Sequence, residues 1–390
     1  MRVLLSCLQS LKRHSLPAYE FWRPYFVRGC EEAGIECVEV PGVDWAEALV
    51  YPPGKQLEAW RARTWESVLE FVQKEQARNP VQFFLGYLYP GQVEAAAIAE
   101  LQRRGIPCVN YFCDNVREFP RVPAEYLPFS LHWVPEFEAL EMYRQAGLPY
   151  LHAPMPCWVP TGLRTVPQEE TEPPTFIGSA DPLRRELLGR ALDTGADFVV
   201  RGPGWAEQPG PADAFHSSPR SISGIVANQM ALIRAEGIRG LLCKLENRLN
   251  PLHAIPVPES QVRPAVFGTE YFRVTREAEL VIGINRVPTA REPDRHPLSY
   301  SRLRDIEAPM LGACYLTEWT AGLGQLYDLG VEIESYRTPE ELCFKIVELK
   351  ADGSRRRLMR EHAQRRALSD HSVARTLRRI CERLGLQKNS

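Results

Sequence analysis

Apolar positions along this chain recur in two alternating periods. Residues 2–7 (RVLLSC) form a short apolar run, and Phe21, Tyr25, Phe26 and Cys30 then fall on one helical face that closes at Gly34. A second run, 35–40 (IECVEV), precedes a helical pattern carried by Leu57, Trp60, Trp65, Val68 and Phe71. Strands are predicted at 81–89, 106–115 and 129–135, with helices at 92–105, closed by Gly105, and 136–147. The same alternation resumes after 174. Strands are predicted at 175–179, 197–202, 280–285, 313–318 and 331–336, and helices at 182–195, 269–278, 339–352 and from there to about 386. Within 206–263 the pattern is weaker, with a helix at Ile225–Arg239 and a Pro-rich loop at Asn250–Pro264. Strand–helix alternation at this spacing predicts α/β architecture with doubly wound parallel sheets.

The period fails across 160–174 (PTGLRTVPQEETEPP), whose Pro, Thr and Glu content reads as a linker over 161–174. The expected organisation is a Rossmann-like domain at 1–160, a second at 175–365, and a basic C-terminal helix at 366–390 packing across the two. Two facing Rossmann-like halves would leave a cleft between them. A chain of 390 residues, 44% hydrophobic, is long enough for two cores.

Net charge of −2 gives no global attraction to nucleic acid or anionic lipid. No stretch reaches the length of a spanning helix, and the N-terminus lacks a signal-peptide pattern, so a cytoplasmic location is expected. Ten cysteines without a CxxC pair suit free thiols in a reducing compartment rather than a disulfide framework or zinc site. The 33 prolines are spread over loops.

Ligands of open α/β sheets bind beyond the carboxyl ends of the strands, which selects the candidate residues. After 175–177 come Gly178 and Ser179, with Arg184 and Arg185 in the next helical turns. Glycine lets phosphate oxygens approach the backbone, and arginine can take a diphosphate bidentately. GxGxxG and the Walker lysine are absent from this turn, which argues against a nicotinamide cofactor or an ATP P-loop. Arg286 follows 280–285. Arg302, Arg304 and Glu307 lie on the stretch leading to Gly312, and Thr317 and Glu318 end the strand after it. Glu307 either accepts from ribose hydroxyls or, with Asp305, caps a short helix in which Pro309 occupies the first turn.

In the first half, Asp114 and Asn115 end a strand and face the expected acceptor side. There Asp114 is either a general base or a loop cap. Tyr87 and Tyr89 are sugar-stacking candidates or core residues, and His132 reads as a core histidine. The segment 354–385 holds ten arginines against three acids, fitting a helix packed across the domains with an outward, solvated basic face; peripheral attachment to an anionic membrane is the alternative and nucleic acid the last choice.

Four stretches, RLRDIEAPMLGACYLTEW, GVEIESYRTPEELCFKIVEL, FIGSADPLRRELL and RGPGW, together resemble the CgeB-like glycosyltransferases, themselves similar to group-1 sugar transferases. NYFCDNVREF resembles the Asp-bearing strand end of the same group. The resemblance spans roughly 80–150 and 172–370. It implies a GT-B fold and transfer of a sugar from a nucleotide-diphosphate sugar to an unidentified acceptor, with no metal and no cofactor beyond that co-substrate. Glu307 matches the second Glu of a two-glutamate motif that holds the ribose, and Gly312 the glycine after it. Ser299 stands where the first Glu is found, which leaves a retaining or inverting outcome open. Arg184 and Arg185 match only the general position of a diphosphate-binding residue. The readings set beside transfer are a non-catalytic GT-B-like binding or structural protein and a sugar-nucleotide epimerase.

Overall fold

Hydrophobic runs too continuous for a half-exposed strand are buried on both faces here, as a parallel sheet covered by helices requires. In the computed structural model, residues 1–7, 10, 19–206, 242–252, 255–289 and 292–386 are described. The helix expected at Ile225–Arg239 lies outside them. The chain divides into two compact units, Met1–Pro160 with Ala367–Ser390, and Thr161–Arg366.

The first unit contains β1 (Arg2–Cys7), β2 (Glu36–Val38), β3 (Phe83–Tyr87), β4 (Cys108–Tyr111), β5 (Leu131–Val134) and β6 (Tyr150–His152), in the order β2-β1-β3-β4-β5-β6. Every neighbouring pair is parallel. Aromatic side chains fill its core. Trp22 and Phe26, from the helix Tyr19–Ala33, pack edge-on against Tyr87, Tyr111 and Trp133. Trp45, Trp60 and Trp65 form a second group against Phe84.

The second unit contains β7 (Thr175–Ile177), β8 (Val199–Arg201), β9 (Val262–Arg263), β10 (Val281–Gly283), a two-stranded ribbon of β11 (Arg286–Val287) with β12 (Leu298–Ser299), then β13 (Tyr315–Glu318) and β14 (Glu334–Tyr336). Its main sheet runs β14-β13-β10-β7-β8-β9, again all parallel. Strand order reverses between β7 and β10. The connections from these two neighbours leave in opposite directions, opening a crevice at their carboxyl ends. Phe176, Val200, Leu280, Ile282 and Leu316 from the strands pack against Leu187, Leu188, Leu342 and Ile346 from the helices.

Strands are shorter than the apolar runs that announce them: 106–115 contributes four ladder residues and 331–336 three. Beyond the ladder, Ile106, Phe112, Cys113 and Ile333 are buried in the adjoining turns. The predicted helix at 136–147 is a 3₁₀ turn, Phe137–Ala139, followed by Leu140–Gln145. The last helical stretch is two helices, Gly353–Asp370 and Val373–Arg383. The second is started by Ser372, which accepts from the Arg375 amide at 3.3 Å. β6, β9 and the β11–β12 ribbon were not anticipated; each has three residues or fewer, too short to show a period.

The segment 161–174 is bound into the second unit. Glu170 takes Arg356 at 2.5 Å and Arg360 at 3.0 Å, and Glu172 takes Arg201 and Arg273, both at 2.7 Å. Residues 367–386 belong with the first unit, where Val373, Leu377 and Ile380 of the last helix are buried. Among the described residues no helix is long and apolar enough to cross a membrane. No disulfide joins the ten cysteines, and all but Cys37 and Cys343 are buried.

Candidate functional site

The carboxyl end of β7 is built around two glycines. Gly178 donates its amide to Arg201 O at 2.8 Å, and its carbonyl accepts from Trp205 Nε1 at 2.7 Å. Gly202, with φ +148°, passes so close that a Cβ there would lie 2.1 Å from Gly178 O. Only glycine combines that torsion with that approach. Gly178 itself is crowded by the Phe176 ring, 2.9 Å from a Cβ added to it. RGPGW and the Gly178–Ser179 turn are therefore one piece of backbone scaffolding.

Guanidinium groups gather beside that turn. Arg184 donates to Ser179 O at 2.9 Å, pairs with Asp181 at 3.1 Å and lies over the Phe176 ring. Arg304 donates to Ile177 O, the last carbonyl of β7, and covers the face of Tyr271 at 5.6 Å. Burial lowers the Arg184 pKa, with Asp181 opposing the shift and Arg304 and Arg302 adding to it. That repulsion is the signature of a positive excess, suited to an anion with several oxygens. Arg185 takes a different direction: it is buried, donates to Gly204 O and lies over Trp205, so it supports the RGPGW loop.

The helix Arg304–Met310 carries two carboxylates with different surroundings. Asp305 is fully buried. Its Oδ1 accepts from Tyr315 Oη at 2.8 Å and Thr317 Oγ1 at 2.9 Å, and its Oδ2 from Asn285 Nδ2 at 3.0 Å and the Arg302 amide at 3.2 Å. Burial raises its pKa while these donors oppose the rise. Asp305 ties β10, β13 and the helix together. Glu307, 7% exposed, accepts from Tyr271 Oη, a residue of the helix Gly268–Glu277. Arg304, Tyr271 and Glu307 thus form one contiguous group. Gly312 ends the helix with φ +76°, packed against Val166 and Gln364. Pro309 falls in the last turn rather than the first, because Leu303 already serves as the N-cap.

Arg286 and Glu318 are one buried pair. Arg286 Nη2 lies 2.7 Å from Glu318, whose other oxygen accepts from the amides of Asn285 and Arg286 at 3.1 and 3.0 Å. Glu186 approaches the same guanidinium at 3.5 Å. Arg286, Thr317 and Glu318 are accordingly spent within the unit, as the frame behind Arg184, Arg304 and Glu307. Asn285, absent from the sequence-based candidates, sits at the end of β10. Its Nδ2 reaches Asp305 and Glu318 O, and its buried Oδ1 has no partner among the described residues. Ser299 lies on β12, paired in register with Arg286.

In the first unit, Asp114 follows β4 as the N-cap of Asn115–Glu118, with Arg117 4.0 Å from its carboxylate. Asn115 turns inward at 1% exposure, donating to Glu136 and Phe112 O and accepting from Tyr143. Tyr87 is core, its hydroxyl 3.2 Å from Cys113 Sγ. Tyr89 stacks on Tyr87 and meets Phe112 edge-on, half-buried at the strand's end, with burial pushing its pKa up to about 12. His132 is enclosed by Tyr126, Phe129 and Tyr143, and neither ring nitrogen has a partner among the described residues. Burial holds its pKa down at about 3. No group of three metal-ligating side chains occurs among the described residues.

Solved structures define the class. A sucrose-phosphate synthase from Thermosynechococcus elongatus aligns with TM-score 0.56 at 13% identity, over 98% of each chain. HepE of Anabaena, in complex with UDP, aligns with TM-score 0.56 at 12% identity, over 99% of this chain and 100% of its own. A glycosyltransferase of Rickettsia africae gives 0.56 at 12%, over 100% and 99%. At such identities the likeness is one of fold, and the two six-stranded parallel α/β domains are those of GT-B structures. The model of the glycosyl transferase-like family matches residues 184–382, just over half the chain, and the chain belongs to that family. No curated protein matches it.

Proposed function

We propose that this protein is a nucleotide-sugar-dependent glycosyltransferase of the CgeB-like kind, with the donor bound by the second unit. The observation that carries the reading is the grouping of Arg184, Arg304, Tyr271 and Glu307 at the carboxyl end of β7, beside the topological switch point. The arginines face the diphosphate, and Glu307, aligned by Tyr271, accepts from the ribose. Uridine nucleotides are the first donors to test, since HepE is seen with UDP and with UDP-glucose.

In the reaction an acceptor hydroxyl forms a new bond to the anomeric carbon as the bond from that carbon to the diphosphate oxygen breaks. Asp114 takes the hydroxyl proton, and Arg184 and Arg304 stabilise the charge arriving on the diphosphate. No step is assigned to a metal or further cofactor. Ten thiols outside any disulfide suit a reducing cytoplasm. The last helix buries its apolar face in the first unit and leaves Arg375, Arg378 and Arg383 outward, so any contact with a membrane surface is electrostatic.

Calorimetric titration with UDP, GDP and dTDP tests the donor site. Glu307→Ala should weaken the nucleotide that binds by roughly tenfold or more, the scale of a charge-assisted hydrogen bond. Unchanged affinity rejects the role of Glu307. Release of free sugar or transfer product from a nucleotide-sugar panel separates an enzyme from a binding protein.

A further inference from the structure

We propose that Glu136 is a positioning residue for the acceptor-side turn, holding Asp114 through Asn115 in the conformation that presents its carboxylate. The inference rests on Asp114 as the base. Asp114 has φ 67° and ψ 24°, the only non-glycine residue with positive φ among those described. Such a conformation persists when its surroundings over-determine it, and here they do. The amide of Asn115 donates to Glu136 Oε1 at 2.6 Å, and its Nδ2 to Glu136 Oε2 at 2.8 Å. The same Nδ2 donates to Phe112 O at 2.7 Å, and Tyr143 Oη donates to Asn115 Oδ1 at 2.9 Å. The main chain is thus tied two residues before Asp114 and immediately after it. Asp114 O accepts from the Arg117 and Glu118 amides at 3.1 and 2.8 Å, fixing the exit into the helix.

Both oxygens of Glu136 face N–H donors, so the ionised carboxyl is the form that completes the hydrogen bonds. A protonated oxygen would have to point its hydrogen at a donor and give up one contact. Burial works the other way. Glu136 is fully enclosed, and its pKa is pushed up to about 8 by burial, with Asn115 opposing and the Asp114 carboxylate adding to the rise. The other titratable groups beside it, Tyr111, Cys113 and Tyr143, are all raised by burial and stay neutral. Ionisation above about pH 8 completes the hydrogen bonds of the turn, at the expense of the stability that the neutral buried acid gives the fold.

In the wild-type protein, the Asn115 amide resonances should titrate between pH 6 and 10 with a midpoint near 8, and amide exchange in the turn, once the intrinsic pH dependence is removed, should change over the same range. Glu136→Gln, of the same size, must turn its NH₂ toward one of the donors. It should speed exchange at Asn115 at least tenfold, lower kcat at least tenfold, abolish the inflection near pH 8 and leave the affinity for UDP unchanged. Tyr143→Phe removes one contact and should show the same changes at a few-fold level. No titration in the wild type, or unchanged exchange and pH profile in Glu136→Gln, overturns the proposal. If no nucleotide sugar is turned over at all, the transferase reading fails, while the titration and exchange still decide the clamp.

Discussion

The two sheets share a topology class yet finish their carboxyl edges with opposite materials. In the second unit the edge is cationic and polar: Arg184, Arg302 and Arg304 crowd one turn, and carboxylates sit behind them as braces. In the first unit it is aromatic and acidic: Tyr89 and Phe119 pack on Phe112, and Asp114 precedes the Asn115 amide that donates to the buried Glu136. Under the proposed function the first arrangement would serve the diphosphate and the second the acceptor hydroxyl.

If that division of labour is right, damage to one edge should leave the other's measurement untouched. Asp114→Asn should give the largest effect, cutting turnover on the order of 10²–10⁴-fold, as loss of a general base does, with the dissociation constant for UDP unmoved. A parallel loss of nucleotide affinity would erase the distinction. Asp305→Ala leaves the buried donors of Tyr315, Thr317 and Asn285 without their acceptor and should destabilise the second unit by about 3 kcal/mol or more, read by denaturant unfolding. Arg304→Ala should weaken UDP by roughly 10–100-fold while hardly changing the weak binding of uridine, which lacks phosphate.

The smallest effect is on pH and should belong to the first unit alone. His132 is neutral in the fold, with a pKa of about 3 against 6.5 for the exposed side chain. The stability it permits is complete above pH 6.5 and declines as pH falls toward 3, by at most ~1.4 kcal/mol per pH unit. Glu136, raised to about 8 from 4.5, acts in the opposite sense: its contribution is complete below 4.5 and is lost as pH rises to 8. His132→Leu should flatten the acid limb of the unfolding curve and leave the alkaline limb in place.

The strand–helix rhythm was legible because the central strands are buried on both faces and the helices on one, so burial wrote itself into hydrophobic period. Gly178 and Gly312 were legible because the backbone at those places leaves few substitutes. The division between Asp305 and Glu307 was not. Two carboxylates two residues apart look alike until Tyr315, Thr317 and Asn285 arrive from other strands to take one of them. Tyr271 lies 36 residues from Glu307 and Glu136 21 from Asn115, and no local pattern records a contact across a fold. Composition misdirected at 161–174. A Pro- and Glu-rich stretch resembles a solvated connector, but Glu170 and Glu172 have buried arginines as counter-ions.

Glu170 has a consequence for how the second unit tolerates change. Arg360, 2% exposed at its side chain, donates to the carbonyls of Arg276, Ala278 and Gly312, stitching the approach to β10 and the exit of the Glu307 helix onto one guanidinium. A single acid at the start of the unit thereby neutralises the cation that fastens both supports of the helix bearing Glu307. Drift at position 170 would be felt as altered ligand affinity from a residue with no place in the crevice, and a survey of natural variants that inspected the crevice alone would miss it.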